Sequence, residues 1–143
     1  MIVAVVGKGK DCPATRARLA YRVAAELVKR GHTVVTGGLN GVMRAALAGA
    51  GGRGIAITPG DLPASSDAAL TIRTGLPPQL RNVVTGSCCD AMVALPGSHG
   101  TWQEVAIALD RGIPVVLLGD HPWEWPGATP ARSVEDAVRI LGG

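Results

Sequence analysis

No phenylalanine occurs in this chain, and Trp and Tyr bring the aromatic content to only 3%. A surface that binds single-stranded nucleic acid by stacking needs several such rings, so the composition argues against a base-stacking platform. Charge is scarce too: Asp, Glu, Lys and Arg make up 17% of residues, below the roughly 25% of ordinary soluble proteins. The net charge of +3 suits an anionic small ligand, but Lys and Arg are scattered and form no basic stripe that could follow a nucleic-acid backbone. With 47% hydrophobic residues, little of the chain is destined for water, and a buried subunit interface is expected, making a homodimer or higher homo-oligomer. Cysteine is limited to Cys12, Cys88 and Cys89, an odd set without C-x-x-C spacing or a His placed to complete a zinc site. That pattern fits a reducing cytosol and predicts no metal centre. No apolar run approaches the roughly 20 residues of a membrane helix. The opening apolar run, residues 1–6, is cut short by Gly7 and Lys8, unlike a signal peptide. A soluble, cytoplasmic protein is the expectation.

What is present is a repeating order of short apolar runs and amphipathic stretches. The 143 residues suit one domain, 1–143, with a real core. Residues 2–6 form a continuous apolar run rich in β-branched side chains, as expected of a strand buried on both faces of a parallel sheet. A helix is predicted over 14–30, where Leu19, Val23, Ala24 and Leu27 recur at helical spacing and Gly31 supplies the stop. Further strands are predicted at 33–36, 54–58, 69–73, 91–95 and 115–119. Further helices are predicted from about 42 to 50, from Pro78 to about 89, over 102–111, and after a Ser133 cap. Residues 120–132 read as a loop carrying Trp123 and Trp125, which either lid a site or pad a subunit contact or the local core. This alternation predicts an α/β, Rossmann-like, doubly wound and mostly parallel sheet with helices on both faces. Ligands of such sheets bind at the carboxyl ends of strands, where strand order reverses.

Three glycine-bearing loops leave strand carboxyl ends. The first holds Gly7 and Gly9, but Cys12 occupies the third glycine position of a dinucleotide fingerprint, so that fingerprint is incomplete. Cys12 is either a reactive thiol near a helix start or a small residue in a tight turn. The second holds Gly37, Gly38 and Gly41. The third is the most informative: Leu95-Pro96-Gly97-Ser98-His99-Gly100-Thr101-Trp102-Gln103-Glu104 runs from a strand through a tight loop into a helix. Glycines let the backbone approach a ligand, and the unpaired N–H groups of a first helical turn hold phosphate or carboxylate, aided by the Thr101 hydroxyl.

This stretch resembles the Pro-Gly-Gly-x-Gly-Thr-x-x-Glu motif of the Lonely Guy (LOG) phosphoribohydrolases and of their relatives, including molybdenum-cofactor carrier proteins. Ser98 stands where the second glycine is usual. Gly37-Gly38 followed by Gly41-Val42-Met43 resembles the corresponding turn and helix start of that superfamily. Arg81-Asn82 looks like the position where LOG enzymes carry Arg-Lys and where short bacterial relatives and the cofactor carriers carry Arg-Asn.

The resemblance implies a Rossmann-like fold and hydrolysis of a nucleoside 5′-monophosphate to free base and ribose 5-phosphate, with no cofactor required. Glu104 would stabilise an oxocarbenium-like state or position the water, and Arg81 would orient the ribose or the leaving base. Gly97, Ser98, Gly100 and Thr101 would hold the phosphate, with Gly7, Gly9, Gly37, Gly38 and Asn82 completing the ligand-binding set. The alternative is a non-catalytic carrier or sensor of a phosphorylated ligand, with molybdenum cofactor as possible cargo. A single-strand DNA binder like the related DNA-processing protein A lacks support for want of a basic stripe.

Overall fold

The computed structural model describes residues 1–142. Its strands are β1 (Ile2–Val6), β2 (Thr33–Thr36), β3 (Ile55–Thr58), β4 (Leu70–Arg73), β5 (Ala91–Ala94), β6 (Val115–Leu118) and β7 (Thr129–Ala131). Its helices are α1 (Ala14–Lys29), α2 (Val42–Gly49), α3 (Pro78–Ser87), α4 (His99–Asp110) and α5 (Val134–Ile140). The strands form one sheet in the order β4-β3-β2-β1-β5-β6-β7, and every pairing is parallel.

The continuous apolar strands divide their side chains between two cores by simple alternation. Val3 and Val5 of β1, Val93 of β5 and Val116 of β6 face one core, closed by α1, α2 and α5 through Val23, Leu27, Val42 and Val138. Ala4 and Val6, Met92 and Ala94, and Val115 and Leu117 face the other, closed by α3 and α4 through Val84, Val105 and Ala108. Burying a Val or Leu side chain is worth about 1.5–3 kcal/mol, so these two layers supply the main drive for folding.

The caps follow the sequence. Gly31 takes a positive φ of 87° just beyond α1. Pro78 occupies the first turn of α3, and the Ser133 hydroxyl accepts the Asp136 N–H at 3.0 Å to cap α5.

Two predicted boundaries are corrected. Residues 120–132 are not wholly loop, because Thr129–Ala131 pairs with β6 as an edge strand. Three residues with a central proline carry no strand signature, yet Pro is tolerated at a sheet edge, where one side of the strand has no partner. Helix α4 begins at His99, three residues before the predicted start at Trp102. Gly100 inside the first turn hides the helix, since glycine is a poor helix former. The mostly parallel sheet expected from the sequence is parallel at every pairing.

Strand order reverses at β1, which lies between β2 and β5. The loops leaving β1 and β5 therefore diverge to opposite sides and open a crevice between them. The Lys8 N–H donates to the Pro96 carbonyl at 3.2 Å and ties the two loops together at the crevice floor.

Candidate functional site

At this crevice lies a cavity of about 120 Å³ lined by Gly7, Gly9, Met43, Arg81, Asn82, Ser98, Gly100, Thr101 and Glu104. Eight of the sequence-predicted residues are thus brought together, from the β1 loop, α3 and the start of α4. Gly37, Gly38 and Gly97 stand outside the lining. Gly97 serves close packing instead, for a Cβ there would run into the Thr101 hydroxyl. At Gly41, with φ 62°, a Cβ would collide with the Gly9 and Lys8 carbonyls, so this turn shapes the β1 loop from behind. Met43 lines the cavity without having been assigned to it, although it belongs to the same helix start as Gly41 and Val42.

The α4 N-terminus forms one wall. Ser98 occupies its cap position in an extended conformation and makes no side-chain capping bond. The Trp102 N–H bonds the Ser98 carbonyl at 3.0 Å. Among the described residues, no protein acceptor meets the N–H groups of His99, Gly100 and Thr101. These are the orphan donors of a helix start, which carries roughly half a positive charge.

Arg81 projects from α3 and is buried. Its Nη1 donates to the Gly37 carbonyl at 2.6 Å and to the Ile57 carbonyl at 3.0 Å, and its Nε donates to Asn82 Oδ1 at 3.2 Å. Asn82 Nδ2 donates in turn to Gln103 Oε1 at 3.1 Å, and Gln103 Nε2 to the Gln79 carbonyl at 3.0 Å. Arg81 therefore pins the carboxyl ends of β2 and β3 while α3 and α4 are joined through Asn82. Burial lowers the Arg81 pKa, an effect that the nearby Glu104 partly opposes.

Glu104 is 7% exposed, one turn inside α4, and lines the cavity. Among the described residues its carboxyl accepts no hydrogen bond and forms no ion pair. Loss of hydration pushes its pKa up to about 8, against the lowering influence of Arg81. Among the described residues no fully buried side-chain oxygen lacks a partner, so the unbonded Glu104 carboxyl keeps access to the cavity.

Among the described residues no cluster of three His, Cys, Asp or Glu could hold a metal ion. Cys12 is partly buried against the core, with its thiol 3.5 Å from the Pro13 carbonyl, which favours the small-residue reading of that turn. Burial raises the Cys89 thiol to about 11 and also raises Cys88.

Beside the site, the 119–128 loop joins β6 to the edge strand β7. His121 Nε2 donates to the Ala94 carbonyl at 2.8 Å, anchoring this loop to the end of β5. Trp125 packs on the core, while Trp123 meets Trp102 of α4 edge to face at 4.7 Å.

The SLOG cluster4 family model matches residues 1–139. The chain belongs to the SLOG cluster4 family. A protein of Archaeoglobus fulgidus described as uncharacterised is 36% identical over 97% of this chain and 98% of its own length. The molybdenum cofactor binding protein of Rippkaea orientalis has a structure that superposes with a TM-score of 0.91 at 29% identity, covering 98% of this chain and 94% of that one. The molybdenum cofactor carrier protein of Chlamydomonas reinhardtii superposes with a TM-score of 0.88 at 31% identity, again over 98% and 94%. These likenesses agree with the Rossmann-like fold read from the sequence. No helix among the described residues is long and apolar enough to cross a membrane.

Proposed function

We propose that this protein binds and carries a phosphorylated ligand, of which molybdenum cofactor is the leading instance, with the anion seated on the α4 N-terminus. The observation that carries this reading is that Gly100 and Thr101, whose N–H groups at the α4 start meet no protein acceptor, line one cavity with Glu104, whose pKa burial pushes up to about 8. A phosphate placed there meets donors and a protonated acid, not a competing anion. Likeness over nearly the whole chain to two proteins that bind or carry molybdenum cofactor supports it. Arg81-Asn82, in place of the Arg-Lys of the hydrolases, supports it further. The test is titration with sulfate and ribose 5-phosphate followed by calorimetry. Binding is expected at one site per chain, and Thr101→Ala is expected to weaken it without unfolding the protein. Unchanged affinity in Thr101→Ala would remove the anion from this loop.

One observation favours a second reading, hydrolysis of a nucleoside 5′-monophosphate without a cofactor. Glu104 faces the cavity beside Thr101 and Gly100, where a carboxylate next to a ribose could stabilise developing positive charge. Release of free base from a panel of nucleoside monophosphates separates the two readings.

A further inference from the structure

Asn82 of α3 and Gln103 of α4 are joined in a chain of hydrogen bonds whose two ends leave no choice of direction. At one end the Arg81 Nε–H can only donate, so the Asn82 oxygen must face it, at 3.2 Å. At the other end the Gln79 carbonyl can only accept, so Gln103 Nε2 must face it, at 3.0 Å. The middle bond, from Asn82 Nδ2 to Gln103 Oε1 at 3.1 Å, then follows. Turning either amide over would set donor against donor at Arg81 or acceptor against acceptor at Gln79. The orientation of both amides is fixed by their partners.

An amide nitrogen carries two hydrogens, and Gln103 takes one of the pair on Asn82. Among the described residues the other meets no acceptor. Asn82 is 7% exposed and lines the α4 cavity, and a Cβ at Gly100 would come within 3.3 Å of its Nδ2. That nitrogen therefore lies against the same first turn of α4 that presents the orphan backbone N–H groups. Gln103 itself stands outside the cavity lining. We propose that Gln103 is a positioning residue, which holds the Asn82 amide so that its second hydrogen, and not its oxygen, is offered to the anion at α4. The inference rests on the phosphorylated-ligand reading and adds to it a side-chain donor whose direction is set from outside the cavity. It also narrows what the cradle takes. A fully ionised oxyanion brings only acceptors to such a donor, whereas an ammonium group would set donor against donor.

The test is nuclear magnetic resonance of the 15N-labelled chain titrated with ribose 5-phosphate, following the two side-chain amide hydrogens of Asn82 and the backbone amides of Gly100 and Thr101. In the wild type one Asn82 hydrogen is expected to move with the α4 backbone amides, while its twin, held by Gln103, keeps its shift. Gln103→Met fills a similar volume without the bonds, and is expected to abolish this one-sided response and to weaken affinity about threefold to tenfold, the worth of one hydrogen bond. Gln103→Glu still accepts from Asn82, and is expected to restore the one-sided response although its charge opposes the anion. Backbone amides that move while both Asn82 hydrogens stay still would overturn the donor and leave the phosphate reading standing. A one-sided response and wild-type affinity in Gln103→Met would overturn the positioning role. Backbone amides of α4 that do not move at saturating ribose 5-phosphate would overturn both readings.

Discussion

Arg81 and Glu104 line the same cavity without forming an ion pair, for among the described residues the ion pairs lie elsewhere. Their electrostatic influence on each other is nonetheless opposite to that of burial in both groups. The reason is architectural. Arg81 spends donors on the Gly37 and Ile57 carbonyls, and Glu104 projects from another helix into the space that remains. The cavity thus has a structural cation on one side and, on the other, an acid whose pKa burial pushes up to about 8.

Arg81→Ala is expected to destabilise the fold as well as weaken anion binding. Two buried carbonyls at the ends of β2 and β3 would lose their donor, at a cost of about 1–3 kcal/mol. Arg81→Lys should recover only part of this, because one ammonium cannot reproduce the planar fork that also reaches Asn82. Urea denaturation measures the loss, and wild-type stability in Arg81→Ala would disprove the strut.

Glu104 makes stability and binding depend on pH in a defined direction. Its folded pKa of about 8 lies above the ordinary 4.5, so the folded state binds the extra proton between those values. Stability from this group is therefore fully present below about pH 4.5 and is lost as pH rises through about 8. Sulfate, which does not titrate in this range, should bind more weakly above pH 8 as an anion appears beside it. Glu104→Gln is expected to flatten both dependences. Thermal melts and sulfate titrations from pH 5 to about 9 read the effect, and a variant as pH-dependent as the wild type would rule out Glu104 as its source.

The sheet was legible because β1, β5 and β6 are continuous apolar runs, and a strand buried on both faces has no other signature. The α4 cradle was legible because Gly100, Thr101 and Glu104 must lie close in sequence to share one helix end. Arg81 was legible as a candidate residue of the cavity it lines but not as a strut, since its partners are backbone carbonyls at Gly37 and Ile57, which any residue supplies. Strand β7 was hidden because Pro130 opposes strand propensity and only the neighbouring β6 draws the segment into the sheet. The contact of Trp123 with Trp102 was hidden for a related reason: it joins residues twenty-one positions apart and leaves no periodic trace.

Assembly is predicted from surface left uncovered. Register places Leu70 beside Ile55 and Ile72 beside Ile57, so both β4 side chains point to the α3 side of the sheet, where they are exposed. Leu80 and Val83 on α3 are exposed as well. A second copy covering these residues accounts for the surplus of apolar surface. Light scattering is expected to give at least twice the 14.6 kDa of one chain, and Leu80→Glu to reduce it. A wild-type mass of one chain at micromolar concentration would refute the contact.

Turnover decides between the carrier and the hydrolase. A carboxylate that offsets oxocarbenium charge must be ionised, and burial, by pushing the Glu104 pKa up to about 8, disfavours that form at pH 7. Hydrolysis that depends on it would rise about tenfold per pH unit below 8 and level off above. Glu104→Gln would abolish that reaction but leave affinity at pH 7 nearly unchanged, since the amide matches the neutral acid in size while lacking charge in the transition state. The carrier reading predicts instead that no free base forms from any nucleoside monophosphate between pH 6 and about 9. Base release with the rising profile, absent in Glu104→Gln, would make the protein an enzyme. Binding without release at every pH would leave Glu104 as the acid that keeps the cradle hospitable to phosphate.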